Sequence, residues 1–502
     1  MGRTQKVAKN VATGLVNKAS LMLLAFITKT AFIRFLGAEY NGVSSLYTNI
    51  LSVLALAELG VGNVLMFYLY VALERKNDEE ITALVYEFKK IYNAIIICVL
   101  TVGLALVPFL QYLVNSNLKR SELIIYYLLY LANSVASYFV IYRTTVVRAD
   151  QSEWILNNVS TVSTVVMYIL QLIYLYKFRN FLGYLIIQVL CTIINNLIQN
   201  YIAVKRYPYL KEKPIYSAAI NKRALIGNVK ATFLFKVSDT ILDQTDNIII
   251  SVMIGTLAVG MYSNYYMLIM YLVNIAGIIA NGMVASFGNL YVEGNKEKSY
   301  KMFKVSMLLF SFYGTVCSVC YICLIQDFIP IWVGKQYLMG YDLVFAVIAV
   351  FYLRMVTNTI WIYRSSMGLF KEVQYINIVA AVLNIILSIA LEYRFGLAGI
   401  IVATAVSRLL TSFWYEAKVV FKKLERPVSE YFRIQIKDLL IASCIIGICY
   451  LVTNNIHKSG LMGLFIKMFV CLVISGCAEC LAHYKEKEFA FFLNKLQLDR
   501  KR

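Results

Sequence analysis

The sequence predicts an all-α integral membrane protein with about fourteen transmembrane helices, and two observations lead to that prediction. Of the 502 residues, 60% are hydrophobic and only 15% are charged, with a mean hydropathy of +0.67. A soluble domain is nearer half apolar and a quarter charged. The second observation is that apolar stretches recur along nearly the whole chain, each long enough to cross roughly 30 Å of hydrocarbon as a helix.

These apolar stretches define the predicted elements in order, and no Pro-rich or Ser/Gly-rich linker separates them. The predicted spans are 11–35, 43–70, 91–113, 122–142, 154–176, 181–203, 229–254, 260–289, 304–326, 342–363, 374–393, 397–417, 438–454 and 460–482.

The basic residues orient these spans. With the N-terminus in the cytoplasm, the cytoplasmic segments hold 33 of the 48 Lys and Arg residues, and the outside loops hold 7. This distribution follows the positive-inside rule, and an even number of spans places both termini in the cytoplasm. The net charge of +20 therefore indicates a cytoplasmic face that lies against anionic lipid, rather than a protein that binds nucleic acid.

Two short matches indicate an internal repeat. LGAEYNGVSSLY (36–47) resembles IGTLAVGMYSNY (254–265) at an offset of 218, and IYRTT (141–145) resembles IYRSS (362–366) at an offset of 221. Six spans separate the copies, so both copies enter the membrane from the same side. We expect two related six-helix halves around an axis along the membrane normal, with two further helices after them.

The predicted organisation has six segments, which alternate between membrane halves and cytoplasmic connections. They are an N-terminal half (1–203), a linker (204–228), a C-terminal half (229–417), a cytoplasmic loop (418–437), two extra helices (438–484) and a basic tail (485–502).

The predicted seventh span carries an unusual number of charges, in the stretch KVSDTILDQTDNIIIS (236–251). At 100° per residue, Lys236, Asp239, Asp243 and Asp246 share an arc of roughly 80° on one helix face. A charge at the bilayer centre costs about 2.5–3.5 kcal/mol on insertion scales. Such charges therefore either face a hydrated cavity that binds substrate or form ion pairs that hold helices together.

Other spans add charges to the same candidate cavity. Lys18 and Lys29 lie in the first span, and the repeat offset of 218 places Lys18 opposite Lys236 at equal depth. Arg354 and Arg408 lie near the middle of spans 10 and 12. These five cations suit an anionic head group such as a diphosphate.

The carboxylates of this cavity have two possible roles. Asp239, Asp243 and Asp246, with Glu58 of the second span, either neutralise the cations when no substrate is bound or carry protons during a transport cycle. Tyrosines such as Tyr262, Tyr265 and Tyr266 are assigned to packing more often than to a sugar path.

Enzymatic sites are not indicated by the sequence. It contains no Walker A pattern, no HExxH motif and only two histidines, and every predicted outside loop is short. Cys317, Cys320 and Cys323 fall at helical spacing inside an apolar span, which favours packing over a metal centre. We expect no catalytic residue, no metal and no cofactor.

Three stretches resemble the polysaccharide flippases, that is, the Wzx-type exporters of capsule and O-antigen repeat units. They are FLGAEYNGVSSLYTNILSVLALAELGVGNVLMFYLY (35–70), TDNIIISVMIGTLAVGMYSNY (245–265) and MGLFKE (367–372). The sequence departs from that family after Tyr70, where Val71 and Ala72 replace a frequent basic residue and proline. This family belongs to the MOP superfamily, together with MATE exporters and the lipid II flippase.

The resemblance implies a V of two six-helix bundles, with the last two helices alongside. It also implies translocation of undecaprenyl-diphosphate-linked oligosaccharides to the outer leaflet of the bacterial plasma membrane, by rocking of the two halves. We expect the protein to act as a monomer, with polysaccharide polymerase or assembly proteins as possible partners. One alternative is a MATE-like cation-coupled exporter, whose members usually have twelve spans and a carboxylate-dominated cavity. A membrane glycosyltransferase or polymerase and a scaffold without transport are the alternatives from other classes.

Overall fold

A computed structural model of the protein describes residues 3–55, 61–211, 244–370, 372–456 and 460–491, with the backbone alone for 3–19. The chain divides into two compact units, Met1–Gly260 and Met261–Arg502. We describe each unit by itself, since the boundary falls within one long helix.

The described part of the first unit consists of helices and short 3₁₀ turns. The helices are α1 (Arg3–Leu36), α2 (Ala38–Leu54), α3 (Val61–Glu74), α4 (Asp78–Ala105), α5 (Leu110–Leu113), α6 (Arg120–Tyr138), α7 (Ile141–Ala149), α8 (Glu153–Phe178), α9 (Phe181–Arg206) and α10 (244–253).

The described part of the second unit is helical as well, and its first helix begins in the first unit. The helices are α11 (Thr256–Val292), α12 (Lys296–Trp332), α13 (Tyr341–Ser366), α14 (Gln374–Leu410), α15 (Ser412–Leu424), α16 (Ser429–Asn454) and α17 (Gly460–His483).

The prediction of an all-α membrane protein is confirmed. Within the described residues, nine helices are long and apolar enough to cross a membrane, or ten if the pair α6 and α7, bent by 45°, forms one broken span. Several helices run beyond the predicted limits; α11 and α12 each have 37 residues. At 1.5 Å per residue, such a helix is about 55 Å long and extends past the hydrocarbon.

Local sequence explains where three helices begin. The side chains of Asn77, Asn180 and Asn295 accept hydrogen bonds from the backbone N–H three residues later, at 3.0, 3.2 and 2.9 Å. An asparagine at this position satisfies one of the N–H groups that a helix start leaves open. Each of α4, α9 and α12 therefore begins directly after its asparagine.

Two predicted spans meet without a loop in α14. α14 consists of two helices that meet at Gly396, whose backbone has φ 56° and ψ −141°, and the two parts correspond to predicted spans 11 and 12. Glycine adopts this conformation without the strain that a side chain would add. Gly396 thus makes a kink at the place where the sequence predicts an outside turn.

Polar side chains join helices inside the first unit. Thr192 on α9 donates to Asn133 on α6 at 2.7 Å, and Asn196 donates to the carbonyl of Ala136 at 2.7 Å. Gln199 donates to Ser160 on α8 at 2.8 Å. In a bilayer such hydrogen bonds hold helices together where the hydrophobic effect does not distinguish lipid from protein.

The last two helices pack on α12 in the second unit. Val319 and Cys323 of α12 form an apolar cluster with Ile445 and Cys449 of α16 and Cys471 of α17. All ten cysteines are described and free of disulfides. The Cys317–Cys323 stretch therefore contributes to helix packing through Cys323.

Candidate functional site

Four of the nine charged residues predicted for the site have described side chains: Lys29, Asp246, Arg354 and Arg408. Lys18 lies in α1, but only its backbone is described. The other four fall outside the described residues; they are Glu58, Lys236, Asp239 and Asp243. The predicted pairing of Lys18 with Lys236 thus stays a prediction.

The ammonium group of Lys29 lies over an aromatic ring in the first unit. Its Nζ is 5.6 Å from the ring centroid of Phe32, one helical turn later in α1. Phe32 is buried, and the rings of Phe181 and Tyr184 from α9 meet it edge-on at 5.4 and 5.0 Å. A cation over an aromatic ring gains about 0.5–2 kcal/mol, depending on its solvation. This contact positions the ammonium while leaving its three N–H donors for other acceptors.

Asp246 lies on α10, a helix that packs within the first unit. Asn49 of α2 donates to the carbonyl of Gln244, the first described residue of α10, at 3.3 Å. Ser251 of α10 donates to the carbonyl of Leu113 at 2.7 Å, and the N–H of Thr256 donates to the carbonyl of Asn115 at 2.9 Å. Asp246 itself is half-buried. The described end of the charged segment is therefore attached to α2 and to the segment 113–115.

The glycine repeat corresponds to a reciprocal backbone contact between α2 and the beginning of α11. A Cβ atom placed on Gly42 would be 1.9 Å from the carbonyl oxygen of Thr256, and one placed on Gly260 would be 1.9 Å from that of Ala38. Both contacts lie within the first unit. The offset of 218 relates Ala38 to Thr256 and Gly42 to Gly260. The glycine of each helix therefore contacts the equivalent carbonyl of the other helix. Small residues four apart permit this approach of two backbones.

The same repeat block begins with glycine at a matching backbone position in both copies. Gly37 precedes α2 with φ 93°, and Gly255 precedes α11 with φ 130°. Both values lie in the region that glycine adopts most readily. Asn41 Nδ2 adds a hydrogen bond of 2.7 Å to the carbonyl of Gly260, and this bond has no counterpart in the repeat, where Val259 stands.

The tyrosines that end this block are both buried, but they have opposite hydrogen-bond roles. Tyr47 donates to the carbonyl of Leu123 at 2.9 Å, and the hydroxyl of Tyr265 accepts from the N–H of Met339 at 2.9 Å. Leu123 lies in the first turn of α6, and Met339 lies just before α13. Both tyrosines are fully buried, so for Tyr265 the packing role is supported by its position.

The arginine repeat places two guanidinium groups against different partners. Arg143 Nη1 of α7 donates to Asn200 Oδ1 of α9 at 2.9 Å, inside the first unit. Arg364 Nη1 of α13 forms an ion pair with Glu416 Oε1 of α15 at 2.5 Å, inside the second unit. Arg364 is 3% exposed, whereas Arg143 is half-buried.

The two arginines predicted for the cavity lie in the second unit. Arg354 is half-buried in the middle of α13. Arg408 is half-buried near the end of α14, three residues before Thr411, where the backbone leaves the helical conformation with φ −126° and ψ −88°. Arg408 therefore lies beside a helix break within the stretch predicted as span 12.

The sequence interpretation missed a group of charged side chains around the end of α17. Asp438, Glu479 and His483 are each less than 4% exposed. Glu486 follows them, outside the spanning segments; burial opposes its ionisation, but hydrogen bonds from His483 and Lys437 outweigh that effect and lower the pKa of Glu486 to about 2. The spacing of Glu479 and His483, four residues apart on one helix face, was the available signal.

No group of His, Cys, Asp or Glu in the described residues has the arrangement of a metal site. The ion pair between Lys467 of α17 and Asp327 of α12, at 2.6 Å, shows that Lys467 has a partner within the protein. We therefore assign Lys467 to helix packing.

The model of a known family, described as "Polysaccharide biosynthesis protein", matches residues 7–286. This match covers more than half of the chain. The chain belongs to this family. A search of curated protein sequences finds no match.

Solved structures show which fold the family member has. The lipid II flippase MurJ in an inward closed conformation is similar, with a TM-score of 0.69 and 12% identity over 94% of this chain and 99% of that chain. An inward-facing multidrug resistance MATE transporter of the MOP superfamily has a TM-score of 0.61 and 12% identity, over 81% and 95%. The MATE transporter VcmN of Vibrio cholerae in its bent form has a TM-score of 0.53 and 13% identity, over 85% and 98%. The protein therefore has the MOP-type membrane fold.

Proposed function

We propose that this family member is a flippase for oligosaccharides linked to undecaprenyl diphosphate. It moves them from the inner to the outer leaflet by alternating access, for the synthesis of capsule, exopolysaccharide or O-antigen-type polymers. The observation that carries the proposal is the cationic side chain of Lys29 within an apolar helix of a polysaccharide biosynthesis protein. A membrane-embedded cation is costly unless it faces water, a counter-charge or an anionic ligand.

A diphosphate fits the cations of the spans by charge and geometry. Lysine offers three N–H donors to phosphate oxygens, and arginine offers a planar pair of donors. In the proposal Lys18, Lys29 and Lys236 bind the diphosphate together with Arg354 and Arg408. Asp239, Asp243, Asp246 and Glu58 act as resting counter-ions or as proton carriers.

The setting of the protein follows from its charge distribution. We place it in the bacterial plasma membrane with both termini in the cytoplasm, because the segments on that side hold most of the basic residues. It works as a monomer, next to the polymerase and assembly proteins that use the translocated repeat unit.

Translocation in proteoliposomes tests the function. Vesicles that carry the lipid-linked oligosaccharide are reconstituted with the protein, and exposure of the oligosaccharide in the opposite leaflet is measured over time. Absence of translocation by the wild-type protein would remove the function. Export of a soluble cationic compound in its place would support the MATE-like alternative, for which the similarity to MATE structures is the specific observation.

A lysine variant with a matched control tests the site. Lys29→Ala is expected to slow translocation about tenfold, since losing one charge-assisted contact of about 1.4 kcal/mol has that effect. Lys177→Ala is the control, because the Nζ of Lys177 also lies over a phenylalanine, 5.4 Å from the ring of Phe178, but at the end of α8. Equal rates for the wild type and both variants would exclude Lys29 from the substrate site.

A further inference from the structure

Buried titratable side chains meet where α16 and α17 pack against α12 and α13, all within the second unit. Asp438 of α16 is 3% exposed, Glu479 of α17 is 1% exposed and His483 at the end of α17 is 2% exposed. We call Asp438, Glu479 and His483 the acid–histidine cluster. Ionisable groups this deeply buried are rare unless their charges are compensated.

His483 lies between two carboxylates. Its Nε2 is 3.3 Å from Glu479 Oε2, and its Nδ1 is 3.1 Å from Glu486 Oε2. Glu486 also pairs with Lys437, whose side chain is 43% exposed and so reaches the rim of the cluster. A positively charged imidazole donates to both carboxylates at once, which a neutral imidazole does not.

Polar side chains of α12 and α13 lie next to the acid–histidine cluster. Ser311 of α12 lies next to both Asp438 and Tyr352 of α13. Among the described residues, however, Ser311 Oγ, Asp438 Oδ1 and Tyr352 OH make no well-aligned hydrogen bond, although they are neighbours and all three residues are at least nine-tenths buried. Each buried polar atom left in this condition costs about 1–3 kcal/mol. These three orphaned atoms can accept a hydrogen bond from a further donor.

The charges around the cluster do not balance when every group is ionised. Asp438, Glu479 and Glu486 contribute three negative charges, while His483 and Lys437 contribute two positive charges. On α12, Lys304 forms its own ion pair with Glu488, and Lys301 lies over the ring of Phe491. One negative charge is therefore in excess at a place that burial shields from water, which is unfavourable.

We propose that the acid–histidine cluster binds one proton on Asp438, next to the imidazole of His483. A hydronium ion gives its proton to a carboxylate oxygen and leaves as water, so one O–H bond forms and the cluster becomes neutral. The new hydroxyl is a donor for one of the orphaned acceptors. The proposal uses none of the aspartates of the predicted seventh span, and it requires nothing about the transported substrate.

Infrared difference spectroscopy of the full-length protein tests the proposal directly. A protonated carboxyl group has a carbonyl stretching band that a carboxylate lacks, so a pH step changes that band. The band is expected in the wild-type protein near neutral pH, and it should be lost in Asp438→Asn or in Glu479→Gln. Glu488→Gln is the matched control, because Glu488 is a largely buried carboxylate with a full counter-charge on Lys304, and it should leave the band unchanged.

Thermal unfolding as a function of pH gives a second readout. The folded cluster retains a proton that free carboxyl groups release, so the melting temperature of the wild type should fall as the pH rises through the release. The Asp438→Asn and Glu479→Gln variants should have a flatter profile. In His483→Gln the loss of a positive charge should move the release to higher pH, because the carboxylates then hold the proton more firmly.

Three results would overturn the proposal. One is the absence of a protonated carboxyl band in the wild type between roughly pH 5 and pH 8. Another is an unchanged band in both carboxamide variants, measured on protein that unfolds cooperatively. The third is removal of the wild-type band by sodium ions at constant pH, which would assign the site to a metal cation.

Discussion

The two copies of the internal repeat agree at one pair of matched positions and differ at another. Gly42 and Gly260 make reciprocal contacts, each next to a carbonyl of the other helix. Arg143 and Arg364 also occupy matched positions, but Arg143 binds the neutral amide of Asn200 and Arg364 binds the carboxylate of Glu416. The glycine contact has kept the same chemistry in both copies, and the arginine contact has not.

Burial explains the difference between these matched positions. Two backbones in contact leave no space for any side chain, so both copies of the crossing need a small residue. A guanidinium can donate to several kinds of acceptor. Whether it needs a charged acceptor depends on its access to water. Arg364 is 3% exposed and is compensated by a carboxylate, whereas the half-buried Arg143 has a neutral acceptor.

The largest expected effect comes from removing the charge of Glu416. Glu416→Gln should lower the free energy of unfolding by about 3 kcal/mol, because the charge of buried Arg364 then loses the compensation of a carboxylate. Chemical or thermal unfolding of the purified protein measures this change. The double variant Arg364→Met with Glu416→Leu should recover most of the loss, since it leaves no buried charge behind. A single variant as stable as the wild type would mean that the ion pair does not compensate Arg364.

A methyl group at the glycine crossing should have the next largest effect. Gly42→Ala and Gly260→Ala should each destabilise the protein by about 2 kcal/mol, since the added Cβ would overlap a backbone carbonyl. Gly277→Ala in α11 is the control, because a Cβ there would meet no atom within 4 Å. The reciprocal geometry also predicts that the double variant loses less than the sum of the two singles. Simple additivity would show that the two glycines do not share one contact.

The sequence predicts the helices well because their cause is local. Apolar runs long enough to cross the hydrocarbon become α8, α9, α13 and α17 with limits within a few residues of those expected. The kink at Gly396 was not predicted, since a glycine beside charged residues fits a turn as well as a helix with one unusual residue.

The site was less predictable because partners come from distant parts of the chain. The glycine repeat was visible as matched letters, but its meaning as a contact depends on how α2 and α11 cross. The acid–histidine cluster was missed because Asp438 comes near His483 only through the packing of α16 on α17. By contrast, Lys29 and Phe32 are only three residues apart in the sequence and lie on one face of the same helix.

The smallest expected effect concerns Asn200 and decides whether burial is the correct explanation of the arginine contrast. Asn200→Ala should cost about 1 kcal/mol, because the half-buried guanidinium of Arg143 can exchange its lost hydrogen bond for one with water. Asn200→Asp, which supplies the carboxylate that the second copy has, should change the free energy of unfolding by less than about 1 kcal/mol, as do ion pairs with access to water. If Asn200→Ala were as costly as Glu416→Gln, the solvent exposure of the arginine would not determine how much its partner side chain stabilises the protein. The two arginine positions would then be equivalent in energy, despite their different chemistry.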